Sequence, residues 1–116
     1  MKALSIRQPW AYAVFRLGKN VENRSWPTRY RGRIAVHVAK RVEVAECRRL
    51  GLDPGKLPTE CVIGTVEVKD CVRGARSRWA MRGMWHWILG EAHLFSKPIP
   101  ARDELGVFEW KAPASF

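Results

Sequence analysis

One stretch of sequence decides the fold of this chain: SIRQPWA at residues 5–11, GKNVENRSW at 18–26 and GRIAVHVA at 32–39. Pro9 predicts the start of a helix, because proline lacks the backbone N–H that the first helical turn leaves unpaired. Gly18 predicts the end of the same helix, because glycine readily adopts the left-handed conformation that closes helices. The stretch therefore predicts a short helix, then a group of charged residues, then a strand.

The spacing of apolar residues predicts the remaining elements. The predicted helices cover residues 10–17 and 42–50, and the predicted strands cover 33–39, 61–71, 85–89, 95–99 and 107–111. Several strands with short helices inserted between them fit a small α+β barrel better than alternating strand–helix units. A chain of 116 residues has the length of one domain, which we expect to span residues 1–116.

Alternation assigns faces within the two strands that carry polar candidates. In the first strand, Arg33 and His37 share one face, opposite the apolar positions. In the second, Val62 is expected to share a face with Val66, and Glu67 lies on the other face. Both strands therefore predict one apolar and one mixed face.

Charge points to a polyanion as the partner. The chain has 21 Lys and Arg against 11 Asp and Glu, a formal charge of +10. Arginine is the more frequent base, and its planar fork suits phosphate oxygens and base stacking. Residues 73–78 (RGARSR) form a basic connection that we expect to be flexible. A generally basic, solvated surface is the simpler alternative, since net charge alone does not define a function.

Cysteine usage and hydropathy indicate the cell compartment. Cys47, Cys61 and Cys71 form an odd set without a C-x-x-C pair, which argues against a disulfide framework and against a closed zinc site. We therefore expect reduced thiols, no metal and no cofactor. No apolar run has the length of a signal peptide core or a bilayer span, so we expect a cytoplasmic protein without a membrane partner.

A second candidate feature is the charged group that follows the first helix. Lys19, Glu22 and Arg24 would meet Glu67 if the second strand ran beneath that helix. A lysine between a carboxylate and a guanidinium can hold an anion, or act as a base if a neighbouring cation lowers its pKa. The alternative is a salt-bridge network that ties the helix exit to the barrel. The residues alone do not decide between these roles.

Arginines alternate with aromatic residues in the segment that follows. Charge next to flat rings is typical of surfaces that bind single-stranded nucleic acid. The alternative is a solvated loop with Trp26 buried as a core residue. His37 could act as a base, although a lone histidine on a strand is more often half-buried and satisfied. The residues in this segment are Arg24, Trp26, Arg29, Tyr30, Arg31 and Arg33.

The opening stretch, together with GTVE at 64–67 and LGVFEW at 105–110, resembles the ASCH domain, a family named for homology to a transcriptional coactivator. That family has PUA-like β-barrel folds and is generally associated with RNA. The resemblance covers essentially the whole chain. It implies a PUA-like small β-barrel with two or three short helices inserted, in a small stand-alone prokaryotic member, with a binding cleft between the first helix and the barrel.

The resemblance also implies an activity for part of the family. Some small bacterial relatives are amidohydrolases of N4-acetylcytidine that use a lysine, a threonine three positions later and a strand glutamate. Matching these positions gives Lys19 and Glu67, but the threonine position is Glu22 here. The nucleophilic hydroxyl of that mechanism is therefore absent, and Ser25 has the wrong spacing to replace it.

The resulting prediction is an RNA-binding domain, with RNA or another nucleic acid as partner and a single-stranded or modified base in a basic cleft. The alternative is an enzyme, either a ribonuclease or a nucleoside amidohydrolase, in which Lys19 and Glu67 act as acid and base with Glu22 beside them. The oligomeric state is left open, with a monomer as the simplest expectation. The predicted nucleic-acid-binding residues are Arg7, Gln8, Lys19, Arg24, Trp26, Arg29, Tyr30, Arg31, Arg33 and His37.

Overall fold

Six strands form one sheet in the computed structural model, which describes residues 1–114. The elements follow the chain in the order β1 (Lys2–Ile6), α1 (Trp10–Arg16), β2 (Val21–Arg24), β3 (Gly32–Val38), α2 (Val44–Arg49), a 3-10 helix (Pro54–Lys56), β4 (Cys61–Val72), β5 (Trp85–Pro100) and β6 (Val107–Glu109). The strand order is β2-β5-β4-β3-β1-β6. The pair β1–β3 is parallel and the other pairs are antiparallel.

The sheet curls far enough for its two sides to touch. Arg24 on the edge strand β2 donates a hydrogen bond of 2.5 Å to the backbone carbonyl of Ser5 on β1, four strands away in the sheet. A side chain thus bridges the gap that a closed barrel would fill with backbone pairing. The fold is a half-barrel with two α-helices, which confirms the predicted α+β fold of the PUA-like type.

Helix α1 packs on the inner face of this half-barrel. Its Phe15 ring lies against Gly64 on β4, where a Cβ atom would come within 2.7 Å of the ring. Gly18 has a φ of +71° and ends the helix as its sequence predicts. The core between helix and sheet contains Leu4, Ile6, Ala11, Val14, Ile34, Val36, Val38, Cys61, Ile63, Val66, Val68, Trp87 and Leu89.

A β-bulge in β4 changes one predicted face. Val36 on β3 pairs with Gly64 whereas His37 pairs with Val62, so Ile63 is the extra residue. An extra residue reverses the alternation beyond it. Val62 therefore packs in a second cluster on the outer face, and the prediction that it shares a face with Val66 was wrong.

Other differences from the prediction also come from pairing. The two strands predicted at 85–89 and 95–99 are one strand, β5, because the chain continues through an irregular register at Glu91, whose φ is +47°. The strand β2 has too few apolar residues to show a period and is defined by its pairing with β5. The strand β1 is buried on both faces, so it shows no alternation.

Candidate functional site

A cleft of about 660 Å³ opens on the inner side of the half-barrel. It lies between the start of α1, the strand β2, the helix α2 and the loop that joins β4 to β5. The lining residues are Trp10, Lys19, Glu22, Asn23, Glu43, Glu46, Arg49, Leu50, Arg78, Trp79, Ala80, Met81 and Met84. The predicted cleft lies between the first helix and the barrel, whereas this cleft is also lined by α2 and the β4–β5 loop and contains few of the predicted residues.

Three charged side chains form a network at the floor of this cleft. The Lys19 ammonium donates to Glu22 Oε1 at 2.8 Å and to the backbone carbonyl of Val21. Arg24 lies 2.9 Å from the other carboxylate oxygen of Glu22. The side chains of Lys19 and Glu22 are only 3% and 10% exposed. Sequence reasoning placed these three residues together, and the structure brings them into direct contact.

The position of the network follows from the pairing of β2 with β5. Glu22 lies directly opposite Trp87, so its side chain points to the inner face with that tryptophan. Arg24, opposite Trp85, points the same way. A buried charge must be paired and hydrogen-bonded to be tolerated, and here one carboxylate serves two cations. Among the side chains of residues 1–114, the Nε atom of Arg24 is the one buried polar atom without a partner.

The outer wall of the cleft is the β4–β5 loop, residues 73–84, which we call the arginine loop. Asn23 holds this loop to β2 by donating to the Trp79 carbonyl at 2.9 Å and accepting from the Met81 N–H at 2.8 Å. His86 Nδ1 accepts a hydrogen bond from the Ala75 N–H at 3.1 Å. His86 Nε2 lies 2.7 Å from the Met81 carbonyl oxygen, so Nε2 carries the ring proton and donates it to that oxygen. The flexibility predicted for residues 73–78 is therefore opposed by hydrogen bonds from β2 and β5.

The charges in the cleft itself are balanced. Three basic residues, Lys19, Arg49 and Arg78, face the acidic residues Glu22, Glu43 and Glu46. Most of them are paired: Arg49 lies 2.7 Å from Glu46, and Glu43 lies 2.8 Å from Arg7 outside the lining. The excess of positive charge therefore lies outside the cleft rather than inside it.

Glu67 does not join the Lys19 network. It lies between Val66 and Val68, which point into the core, so its side chain is on the outer face of the sheet. There it faces Arg33, the residue opposite it on β3, at 3.7 Å. Strand β4 does lie against the first helix, with Gly64 beneath Phe15, but Glu67 points to the opposite face and stays outside the predicted cluster.

The arginine–aromatic segment is divided between packing and surface. Trp26 is 39% exposed and packs edge-on against Trp87 at 4.8 Å. Tyr30 is half-buried, and its hydroxyl donates to the Arg33 carbonyl. Arg31 lies 3.4 Å from Asp70, on the exposed surface. Trp26 thus packs on the core through Trp87 and also keeps part of its ring accessible to solvent.

Three more predicted residues have different surroundings. Gln8 is fully buried; its amide accepts from the Tyr12 N–H and donates to the Pro58 carbonyl, so it fastens α1 rather than lining a rim. His37 is fully buried between the Ser5 hydroxyl and the Ala101 carbonyl, at 3.2 and 3.1 Å. Neither side chain is open to a ligand. Arg29 is exposed and makes no ion pair with any residue in the range 1–114.

Of the cleft's lining residues, sequence reasoning found only Lys19 and Glu22, and it missed Trp10, Trp79 and Met81 among the others. A signal was present, because Arg78-Trp79 repeats the arginine–aromatic pairing that singled out residues 24–33. The arrangement in the structure is a cation–π contact, with the Arg78 guanidinium 4.7 Å from the Trp79 ring centre.

The cysteines lie outside the cleft. Burial raises the pKa of the Cys47 thiol, with a smaller contribution from the Glu43 charge, and burial also raises the pKa of Cys61. Within residues 1–114, no group of three His, Cys, Asp or Glu side chains is placed to hold a metal ion. In the same range no helix is long and apolar enough to cross a membrane.

A curled six-stranded sheet with a helix on its inner face and a cleft beside that helix defines an α+β domain of the PUA-like type. The model of the ASCH domain matches residues 4–98, and the chain belongs to that family. It is similar to activating signal cointegrator 1 from Homo sapiens, with 37% identity over 81 residues, covering 60% of this chain and 14% of the relative. The Mus musculus protein of the same name matches to the same extent. The chain thus spans a small part of these relatives.

Proposed function

We propose that this domain binds single-stranded RNA and holds one unstacked base in the cleft. The observation that carries the proposal is the combination in one cavity of aromatic rings, Trp10 and Trp79, with a buried charged floor, Lys19 and Glu22. Sequence-specific RNA recognition commonly takes a splayed base, stacks it on an aromatic ring and hydrogen-bonds its edge. Membership of a family generally associated with RNA fits this function.

The floor of the cleft supplies hydrogen-bonding groups for a base edge. Lys19 has one donor beyond the two that it uses on Val21 and Glu22. The Glu22 carboxylate has lone pairs beyond those used by Lys19 and Arg24. Because the lining charges balance, a neutral base meets no net charge there, whereas a phosphate would be placed better on the cationic surface outside.

The exposed part of the predicted arginine–aromatic segment is included in the proposal as an accessory surface. Trp26 and Arg29 are accessible, and Arg7, Arg31 and Arg33 would exchange a surface carboxylate for phosphate. A surface ion pair is worth about 0–1 kcal/mol, so this exchange costs little. We also propose a cytoplasmic location, which is supported by the reduced cysteine pattern.

The enzymatic alternative changes with the position of Glu67. A reaction that pairs Lys19 with Glu67 is not favoured, because the two side chains lie on opposite faces of the sheet. Acid–base chemistry in the cleft would have to use Lys19 and Glu22. Both are already held by partners, and no hydroxyl nucleophile is present among the lining residues.

One experiment tests both functions. The wild-type protein and the variants Trp79→Ala, Lys19→Ala and Lys97→Ala are incubated with labelled single-stranded RNA, with and without a divalent cation, and gel shift and cleavage are read from the same samples. Lys97 is an exposed control on β5. Loss of one base–aromatic stack costs about 1–3 kcal/mol, so Trp79→Ala should weaken binding by about 5- to 150-fold.

The control Lys97→Ala should bind nearly as the wild type does. Thermal melts of each variant separate loss of binding from loss of folding, which matters for Lys19 because it is buried. The proposal fails if wild-type protein binds no RNA at low salt. Fragments that depend on Lys19 would instead support the enzymatic alternative.

A further inference from the structure

We infer that the arginine loop, residues 73–84, is the surface that binds the phosphate backbone of the RNA whose base enters the cleft. The inference rests on the proposed function and extends it to a surface that the predicted site residues do not include. The loop carries Arg73, Arg76, Arg78 and Arg82, and no acidic residue occurs in the sequence between Asp70 and Glu91.

Five of the ten arginines outside this loop have an acidic partner. Arg7, Arg24, Arg31, Arg33 and Arg49 each lie within 4 Å of a carboxylate. The four arginines of the loop form no ion pair with any residue of the range 1–114, and all four are exposed. Their positive charge is thus available to a polyanion at no cost in broken ion pairs.

Hydrogen bonds fix the backbone from which these side chains project. Asn23 and His86 bind the loop at Trp79, Met81 and Ala75. The Ser77 hydroxyl adds a bond to Asn20 and accepts one from the Trp79 N–H. A platform already ordered in the free protein does not have to be ordered on binding, which lowers the entropic cost of association.

Two arginines are positioned over rings as well. Arg73 lies 5.0 Å from the Trp85 ring centre and donates to the Gly83 carbonyl, and Arg78 lies 4.7 Å from the Trp79 ring centre. Trp79 also lines the cleft, so one residue joins the base site to the loop. A chain whose base rests in the cleft would therefore have its backbone within reach of this platform, and charge complementarity favours nucleic acid as the occupant.

The test uses two double variants that remove the same charge. Arg76→Ala/Arg82→Ala removes two loop arginines that make no contact holding the loop in place. Lys97→Ala/Arg102→Ala removes two exposed cations, one near the opposite end of β5 and one just after that strand. Affinity for a short oligouridylate is measured over a range of salt concentrations, and thermal melts confirm that both variants fold.

The slope of log Kd against log salt reports the number of phosphate contacts, at about 0.7 per contact for a single strand. We expect the loop variant to lower the magnitude of the slope by about 1.4 and the control variant to leave it unchanged. A loop variant with the wild-type slope, in a protein that does bind RNA, overturns the inference and leaves the proposed function standing. Absence of binding by wild-type protein overturns both. Equal affinity for polyglutamate would assign the loop to an acidic protein and overturn the inference as well.

Discussion

The buried network at the cleft floor makes a quantitative prediction about Glu22→Gln. The Glu22 carboxylate lies 2.8 Å from Lys19 and 2.9 Å from Arg24, and the three side chains are 10%, 3% and 18% exposed. The substitution keeps the shape but leaves two buried cations without a counter-charge. Removing one partner of a buried ion pair costs about 3–5 kcal/mol, and more than one partner is orphaned here. We expect the free energy of unfolding to fall by at least about 3 kcal/mol.

A matched control exists in Glu67→Gln. This carboxylate lies 3.7 Å from Arg33, and both side chains are about one third exposed. A surface pair of this kind is worth about 0–1 kcal/mol. Urea denaturation of both variants, analysed with the slope of each curve checked against wild type, gives the two differences directly. Losses that agree within about 1 kcal/mol, or a Glu22→Gln protein as stable as wild type, would refute the argument that the floor network is buried and strongly coupled.

Three further predictions concern residues away from the cleft floor. Alkylation at mildly alkaline pH should modify the half-buried Cys71 first, because burial raises the pKa of Cys47 and Cys61 and leaves less of each as thiolate. Mass spectrometry of the modified peptides gives the order in which the three cysteines react. Modification of Cys47 as fast as Cys71 would contradict this prediction. Gly64→Ala should lower the free energy of unfolding by about 1–3 kcal/mol, because the new Cβ would lie 2.4 Å from the His93 carbonyl oxygen and 2.7 Å from the Phe15 ring. The control Gly74→Ala meets open space, so it should change the free energy of unfolding by less than about 0.5 kcal/mol in the same denaturation assay. Lys2 and the N-terminal ammonium lower the pKa of Glu109 in the folded protein. The stabilisation of the folded state by these contacts is therefore complete above the ordinary carboxyl pKa of about 4.3, and it is lost as the pH falls through the lowered pKa of Glu109. Wild type should therefore lose its advantage over Glu109→Gln in strong acid, and an advantage that persists there would contradict the assignment.

Local sequence patterns predict much of the fold. Pro9 and Gly18 bound the first helix, and alternation of apolar with other residues locates β3 and β4, although both faces of each strand are buried for much of its length. Other features depend on residues far apart in the chain. The strand β2 exists because β5 pairs with it, and the bulge at Ile63 depends on the register with β3, so neither has a local signal.

The site divides in the same way. Lys19, Glu22 and Arg24 are close in sequence, and their contact could be predicted from spacing. The expected approach of Glu67 depended on which face of a strand it occupies relative to the helix, and the packing of α1 on the opposite face separates them. The composition of residues 73–78 predicts flexibility because the anchors of the loop, Asn23 and His86, belong to other elements and leave no local signal.

The most direct test of the account is the position of bound RNA on the domain. A single-stranded oligomer containing 4-thiouridine is crosslinked to wild-type protein under ultraviolet light, and the crosslinked peptides are identified by mass spectrometry. The account predicts crosslinks in the cleft and its wall, at Trp79 and along the arginine loop. Crosslinks confined to the outer face around Arg31, Arg33 and Glu67 would contradict it.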